Sequence, residues 1–293
     1  MSNYLDQVRS LDRLRELVES YQSSDAKQAL DKLTEETSAA VESISRDMET
    51  MEAQVRGEAD QAHKKITDDT ANSVRGIEQA AKKAASELIL KPKTPADRKD
   101  AAAAAANLLE VAEQAAAKTF KQSEELLADC AAKAESDIAR IKAIGDETAK
   151  IISGIVEQAE ENVAGVSQSS ALKLPGSGNS DDQDGSLEKF SREASLRIIE
   201  TLARCVKQIN EAADQALAKL QETADDAVQA IRSLAEEAGK SIERAVDDAN
   251  GTILTATETA IVEKAGKSEG SLFELDALKK KWTSRENKRA GCR

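Results

Sequence analysis

Large side chains and structure-breaking residues are scarce in this sequence of 293 residues. Aromatic residues make up 2% of the chain, as three Phe, two Tyr and one Trp, and there are three Pro. So few large side chains supply little material for one thick globular core. The clusters of Val, Ile, Thr and aromatic residues that mark strands, with turn residues between them, are missing as well. These shortages argue against a β-rich fold and against a single thick core.

The residues that build catalytic and metal sites are equally few. His63 is the only histidine, so no histidine pair can bind a metal and no histidine can serve a cysteine nucleophile in an evident motif. Cys130, Cys205 and Cys292 are widely separated, which predicts neither a disulfide framework nor a metal site. We therefore expect a protein that is not an enzyme, with no cofactor, no metal and no small-molecule substrate.

Targeting and membrane signals are not visible in the sequence. No apolar run approaches the ~18–20 residues of a membrane-spanning helix. The first 21 residues carry charges every two or three positions, which does not fit the apolar core of a signal peptide. With cysteines that fit a reducing setting, this predicts a cytoplasmic protein.

The composition is that of long helices. Ala is the commonest residue, charged residues make up 32%, and Glu, Lys, Leu and Gln are frequent. Clusters of Gly, Pro, Ser, Asp and Asn divide the chain, so we predict an all-α protein with three long helices, each on the order of 100–130 Å at the rise of an α-helix. The predicted segments are helix one over 1–90, a turn over 91–95, helix two over 96–166, a flexible acidic linker over 167–186, helix three over 187–265 and a basic tail over 266–293.

The strongest pattern is a large aliphatic residue at every eleventh position. Helix two follows this pattern more loosely than the other two helices, and Gln22 interrupts it in helix one. We call the following fourteen residues the stripe and predict that they form a helix-packing seam: Leu33, Ile44, Val55, Ile66, Ile77, Leu88, Ile141, Ile152, Ile198, Ile209, Leu220, Ile231, Ile242 and Ile253.

The positions four and seven residues after each stripe residue are mostly small. In helix three the seventh position reads Cys205, Ala216, Ala227, Ala238, Ala249 and Ala260. Eleven residues over three turns give about 3.67 residues per turn, against 3.6 in an ideal helix. Helices that pack along such a stripe form a straight or right-handed coiled coil, whereas a seven-residue repeat would form a left-handed one.

This pattern resembles the 11-residue-repeat coiled coils, such as the peripheral stalk of rotary ATP synthases, over roughly 11–90 and 108–265. More loosely it resembles the 11-residue repeats of late-embryogenesis-abundant, apolipoprotein and synuclein-type proteins. The resemblance is one of period, so it transfers no functional residues. It implies either a helical rod or an amphipathic helix that coats a surface.

Charge and side-chain size favour helix packing over surface coating. The net charge is −13, with acidic pairs such as Asp68-Asp69 on the polar side, and anionic lipid would repel these pairs. Membrane-surface helices usually have bulky apolar residues and a basic polar face. The short turn at 91–95 favours an up-down-up bundle within one chain. The narrow stripe leaves open the alternative that each helix pairs with its copy in another chain.

The C-terminal tail differs from the rest of the chain in charge. Residues 277–293 contain seven basic residues and one acid, a net charge of +6 (7 − 1), so the remaining 276 residues carry −19 (−13 − 6). Spacing of three and four residues among its apolar side chains predicts a short amphipathic helix. The candidate docking residues are Phe273, Leu275, Leu278, Lys279, Lys280, Lys281, Trp282 and Arg285.

Together these patterns predict an elongated structural, scaffold or spacer protein that acts through helix–helix packing. The basic tail is its expected attachment element, and its expected partners are proteins, a second copy of itself, or an anionic surface for the tail. The alternative is an amphipathic protein that coats a lipid or granule surface or protects against stress.

Overall fold

The computed structural model describes residues 2–19, 23–90, 95–171 and 183–265, with side chains over 9–19, 23–90, 98–166 and 189–261. These residues form four helices and no strand: α1 (Ser2–Glu19), α2 (Ser24–Leu90), α3 (Pro95–Ala171) and α4 (Gln183–Ala265). The helices pack against one another, so the predicted all-α class is confirmed. The predicted number of three helices is wrong, because helix one is two helices.

The N-terminus of α2 has a serine cap. Ser23 precedes the helix, and its Oγ accepts a hydrogen bond from the Ala26 backbone N–H at 3.3 Å. The backbone N–H of Lys27 donates to the Ser23 carbonyl at 3.1 Å. Asp25 lies in the first turn, where a negative charge is favourable next to the free N–H groups. These local interactions explain why a new helix begins at Ser24.

α3 and α4 are the two longest helices. α3 begins at Pro95, where proline lacks only an N–H that has no partner in the first turn. α3 continues to Ala171 and α4 begins at Gln183, so both helices extend into the segment predicted as a linker. α4 ends at Ala265.

The chain divides into two compact units. Unit 1 comprises Met1–Glu58 and Lys133–Gln229, and unit 2 comprises Ala59–Ala132 and Ala230–Arg293. Each of the three long helices contributes one part to unit 1 and another part to unit 2.

In unit 2, α3 runs antiparallel to α2, and α4 runs parallel to α2. Ile66 of α2 shares a buried cluster with Cys130 of α3 and Ile242 of α4. Further along α2, Ile77 and Leu88 share another cluster with Leu108 of α3 and Ile253 of α4. Residue numbers therefore rise along α2 and α4 while they fall along α3, which is an up-down-up order within this unit.

In unit 1, α2 and α3 are also antiparallel, and α1 lies beside them. Glu52 of α2 pairs with Lys142 of α3 at 3.5 Å between Oε2 and Nζ, and Met48 lies against Gly145, so numbers fall along α2 as they rise along α3. Arg13 Nη1 of α1 lies 3.6 Å from Glu160 Oε1 of α3. Glu160 lies 18 residues beyond Lys142 on α3 (160 − 142). Because both helices rise by about 1.5 Å per residue, Glu160 is level with the position 18 residues before Glu52 on α2 (52 − 18 = 34), next to Leu33. An α1 that continued α2 in a straight line would place Arg13 about 30 Å from Leu33. α1 therefore turns back along α2.

Candidate helix-packing seam

All fourteen stripe residues are buried. Leu88 is the most exposed of them at 9%, and eleven are 0% exposed: Leu33, Val55, Ile66, Ile77, Ile141, Ile152, Ile198, Ile209, Leu220, Ile231 and Ile253. On α3 the residues that complete the looser 11-residue pattern are buried too, namely Leu108, Thr119, Cys130 and Val163. Burial at this spacing places the large aliphatic side chains on the inner face of each long helix.

Within unit 2, stripe residues from different helices pack directly together. The cluster around Ile77, Leu88 and Ile253 also contains the small residues Ala81, Ala84, Ala112 and Ala249. The cluster around Ile66 and Ile242 contains Ala238. Small residues let neighbouring helix backbones approach closely, so that the large aliphatic side chains fill the remaining space between the helices.

Several small positions are occupied by threonines whose hydroxyl groups are satisfied within their own helix. Thr37, Thr70 and Thr257 are buried, and each lies four residues after a stripe residue. Each hydroxyl donates to the carbonyl of that stripe residue, at 2.6 Å to Leu33, 2.7 Å to Ile66 and 2.7 Å to Ile253. A buried hydroxyl with no partner would destabilise the fold, so these bonds let a polar residue occupy the inner face.

One polar contact joins two helices in unit 2. Thr70 Oγ1 of α2 and Ser123 Oγ of α3 are 2.8 Å apart, and both residues are buried. Thr70 lies four residues after the stripe residue Ile66, and Ser123 lies four residues after Thr119 of the 11-residue pattern in α3. Two small positions therefore meet across the interface between α2 and α3. The pair favours one register between α2 and α3, because sliding one helix along the other would break this buried contact.

In unit 1, a contact between α2 and α3 pairs a large side chain with a glycine. A Cβ atom added to Gly145 of α3 would overlap Sδ of Met48 on α2. The Met48 side chain therefore occupies the space that any larger residue at position 145 would need. This pair could not be predicted from the sequence, because the register between two helices cannot be read from either helix alone.

A buried carboxylate also lies on the inner face of α3 in unit 1. Asp137 is 1% exposed, and Lys133 Nζ lies 2.6 Å from its Oδ2 while Arg140 Nη1 lies 3.3 Å from its Oδ1. Both cations come from the same helix, three and four residues away. Their side chains are 36% and 59% exposed, so they neutralise the carboxylate from the solvent side. Asp137 is a second feature that the sequence analysis missed.

Two of the three cysteines are buried on the inner helix faces. Cys130 and Cys205 are free thiols, one in each unit. Burial raises the pKa of both thiols above the ordinary value of 9.0. The neighbouring Asp129 raises the pKa of Cys130 further, and Arg204 partly offsets the effect of burial on the pKa of Cys205. Such thiols are poor nucleophiles at neutral pH.

The remaining predicted groups have different positions. The candidate docking residues of the tail, from Phe273 to Arg285, lie outside the described residues. His63 is exposed. Across the described ranges, no group of three or more His, Cys, Asp or Glu side chains is arranged to hold a metal ion. None of the helices in those ranges is both long and apolar enough to span a membrane.

Comparison with known proteins gives no relative for this chain: no protein-family model matches it, and no curated protein matches it.

Proposed function

We propose that this chain is a non-enzymatic, elongated scaffold or spacer protein that acts through helix–helix packing. Its 11-residue stripe would form the inner seam of a straight or right-handed helical rod. The basic tail would attach the rod to a protein partner or to a second copy of the chain, with an anionic surface as a further target. The proposed compartment is the cytoplasm, in keeping with the free, buried Cys130 and Cys205.

One observation carries the proposal: stripe residues of α2 and α4 share buried clusters with residues of α3 from the same chain. One buried cluster contains Ile66 and Ile242, and another contains Ile77 and Ile253. Residues of α3 belong to both clusters. Burial of each such aliphatic side chain contributes about 1.5–3 kcal/mol. A helix that folds only on lipid would have its apolar face free for the lipid, whereas here the stripe is covered by the chain itself.

The proposal predicts that the seam, and not the helix surface, determines stability. Replacing Ile231 and Ile242 with Asp places two charges on the buried face of α4, and each should cost more than ~4 kcal/mol of unfolding free energy. A matched control replaces the exposed Gln229 and Ser233 of the same helix with Asp. Melting temperature by circular dichroism and mass by light scattering would be compared with those of the unchanged protein.

The expected result is a large loss of melting temperature for Ile231→Asp with Ile242→Asp, and a small change for the control. Equal melting temperatures and equal mass in the two variants would contradict the seam. Gain of helix by the unchanged protein only on vesicles or on drying would instead indicate a surface-coating or protectant protein.

A further inference from the structure

The end of unit 2 at the C-terminus of α2 exposes large apolar side chains. Ile89 is 53% exposed and Leu90 is 83% exposed. On α3, Ala102, Ala106 and Leu109 are exposed at helical spacing, within the uncharged run 101–109. We call Ile89, Leu90, Ala102, Ala106 and Leu109 the end surface. In the whole chain 32% of residues are charged, so an exposed apolar surface with so few charges marks an interaction site.

The C-terminus of α4 reaches the same end of unit 2. Ile66 shares a cluster with Ile242, and Ile77 shares one with Ile253, so residues of α2 and α4 that differ by 176 in number (242 − 66 and 253 − 77) are level. By the same offset Ala265, the last residue of α4, is level with Ile89 (89 + 176). The chain therefore leaves α4 beside the end surface.

The sequence that follows α4 is short and matches the end surface in chemistry. Residues 266–270, Gly-Lys-Ser-Glu-Gly, can turn the chain, and five residues span at most about 17 Å. Neighbouring helix axes are about 8–10 Å apart, so this length is sufficient to cross to α2 or α3. Residues 271–278 contain four large apolar side chains, two acids and no basic residue.

We propose that residues 271–278 of the same chain cover the end surface, through Leu272, Phe273, Leu275 and Leu278. The C-terminal region then has two parts, because the cap over 271–278 is separate from the basic segment 279–293. Only the basic segment stays available for an external partner. This inference rests on the end of unit 2 alone and does not require the scaffold role.

Cross-linking within the full chain tests the inference. Ser86→Cys places a thiol on the exposed side of α2 near the end surface, and Ala277→Cys places one in the cap, with Cys292→Ser removing the tail thiol. The matched control replaces Ser86→Cys with Glu124→Cys, an exposed position of unit 2 about 30 Å from the end. A short bismaleimide is added to dilute protein, and products are separated by mass.

The inference predicts a cross-link within single chains for the Ser86 pair and none for the Glu124 pair. Cross-links found only between two chains would show that a second copy covers the surface, which overturns the inference. Equal or absent cross-linking for both pairs overturns it as well.

Hydrogen exchange provides a second measurement. Phe273→Asp with Leu275→Asp removes the apolar contacts of the cap, so amides at 86–90 should exchange about tenfold faster. A control variant with Lys279, Lys280 and Lys281 changed to Ser should leave the exchange at 86–90 unchanged. Equal exchange rates in the cap variant and the unchanged protein would contradict the inference.

Discussion

Gly145 shows how one residue can fix the contact between two long helices. Glycine is normally unfavourable inside a helix by about 1 kcal/mol relative to alanine, so its presence on the buried face of α3 needs a reason. The reason lies on α2, where Met48 occupies the space of the missing side chain. Gly154, on the same helix, has open space around the position of a Cβ and provides the internal comparison.

Alanine at these two glycines should therefore have opposite effects. Gly145→Ala should lower the unfolding free energy by about 1–3 kcal/mol through the overlap with Met48. Gly154→Ala should raise it by up to about 1 kcal/mol. In a Met48→Ala background Gly145→Ala should become neutral or stabilising. Urea unfolding of the four variants measures these values, and an equal effect of Gly145→Ala in both backgrounds would refute the contact.

The buried thiols predict a dependence of stability on alkaline pH. Because burial raises the folded-state pKa of Cys130 and Cys205 above 9.0, the folded state favours the neutral thiol. Their stabilising contribution is complete below the unfolded-state pKa and is lost as pH rises through the folded-state pKa. Unfolding free energy should thus fall above about pH 9 by more in a Cys292→Ser protein than in one that also carries Cys130→Ala and Cys205→Ala.

Alkylation tests the burial of Cys130 and Cys205 at one fixed pH. At pH 8 the two buried thiols should react with iodoacetamide at least about tenfold more slowly in the folded protein than in urea. Equal rates in the two conditions would show that the thiols are accessible in the folded state.

At the scale of elements, α1 is the part of the chain that the sequence predicted least well. One helix over 1–90 was predicted because no Gly or Pro separates α1 from α2. The off-pattern Gln22 and the sequence Ser23-Ser24-Asp25 were the only local signals for a break. The all-α class followed from composition, and the 11-residue spacing is a property of the sequence itself. A short polar break between two helices does not alter either property.

α1 should be held to unit 1 mainly by its own apolar side chains. Leu14 and Val18 are fully buried, whereas Arg15 between them is exposed. Leu14→Ala should cost about 2–4 kcal/mol in the packing of α1, and an isolated helix of 18 residues is marginal in water. Amide exchange over 9–19 should accelerate strongly, while exchange over α3 changes little.

Arg15→Ala serves as the control for this variant, since its side chain reaches solvent. If the amides of α1 exchange at the same rate in the Leu14→Ala and Arg15→Ala variants, the buried Leu14 side chain is not what holds α1 to unit 1.

At the scale of the whole molecule, the contacts between helices are what the sequence could not supply. Periodicity indicates which face of each helix is buried, but it does not set the register between helices. The pairs Met48 with Gly145 and Thr70 with Ser123 depend on that register. Asp137 was missed for a different reason: a carboxylate is expected on the exposed face, and its burial is compatible with its charge only because Lys133 and Arg140 of the same helix neutralise it.

The central claim is that the stripe packs helix against helix in plain buffer, without lipid or another surface. Small-angle X-ray scattering of the full chain on an absolute scale tests it most directly. The account predicts a rod on the order of 100–130 Å long, with a mass of 31.4 kDa or a small multiple of it. A scattering profile of an expanded, flexible chain in dilute buffer would contradict the claim.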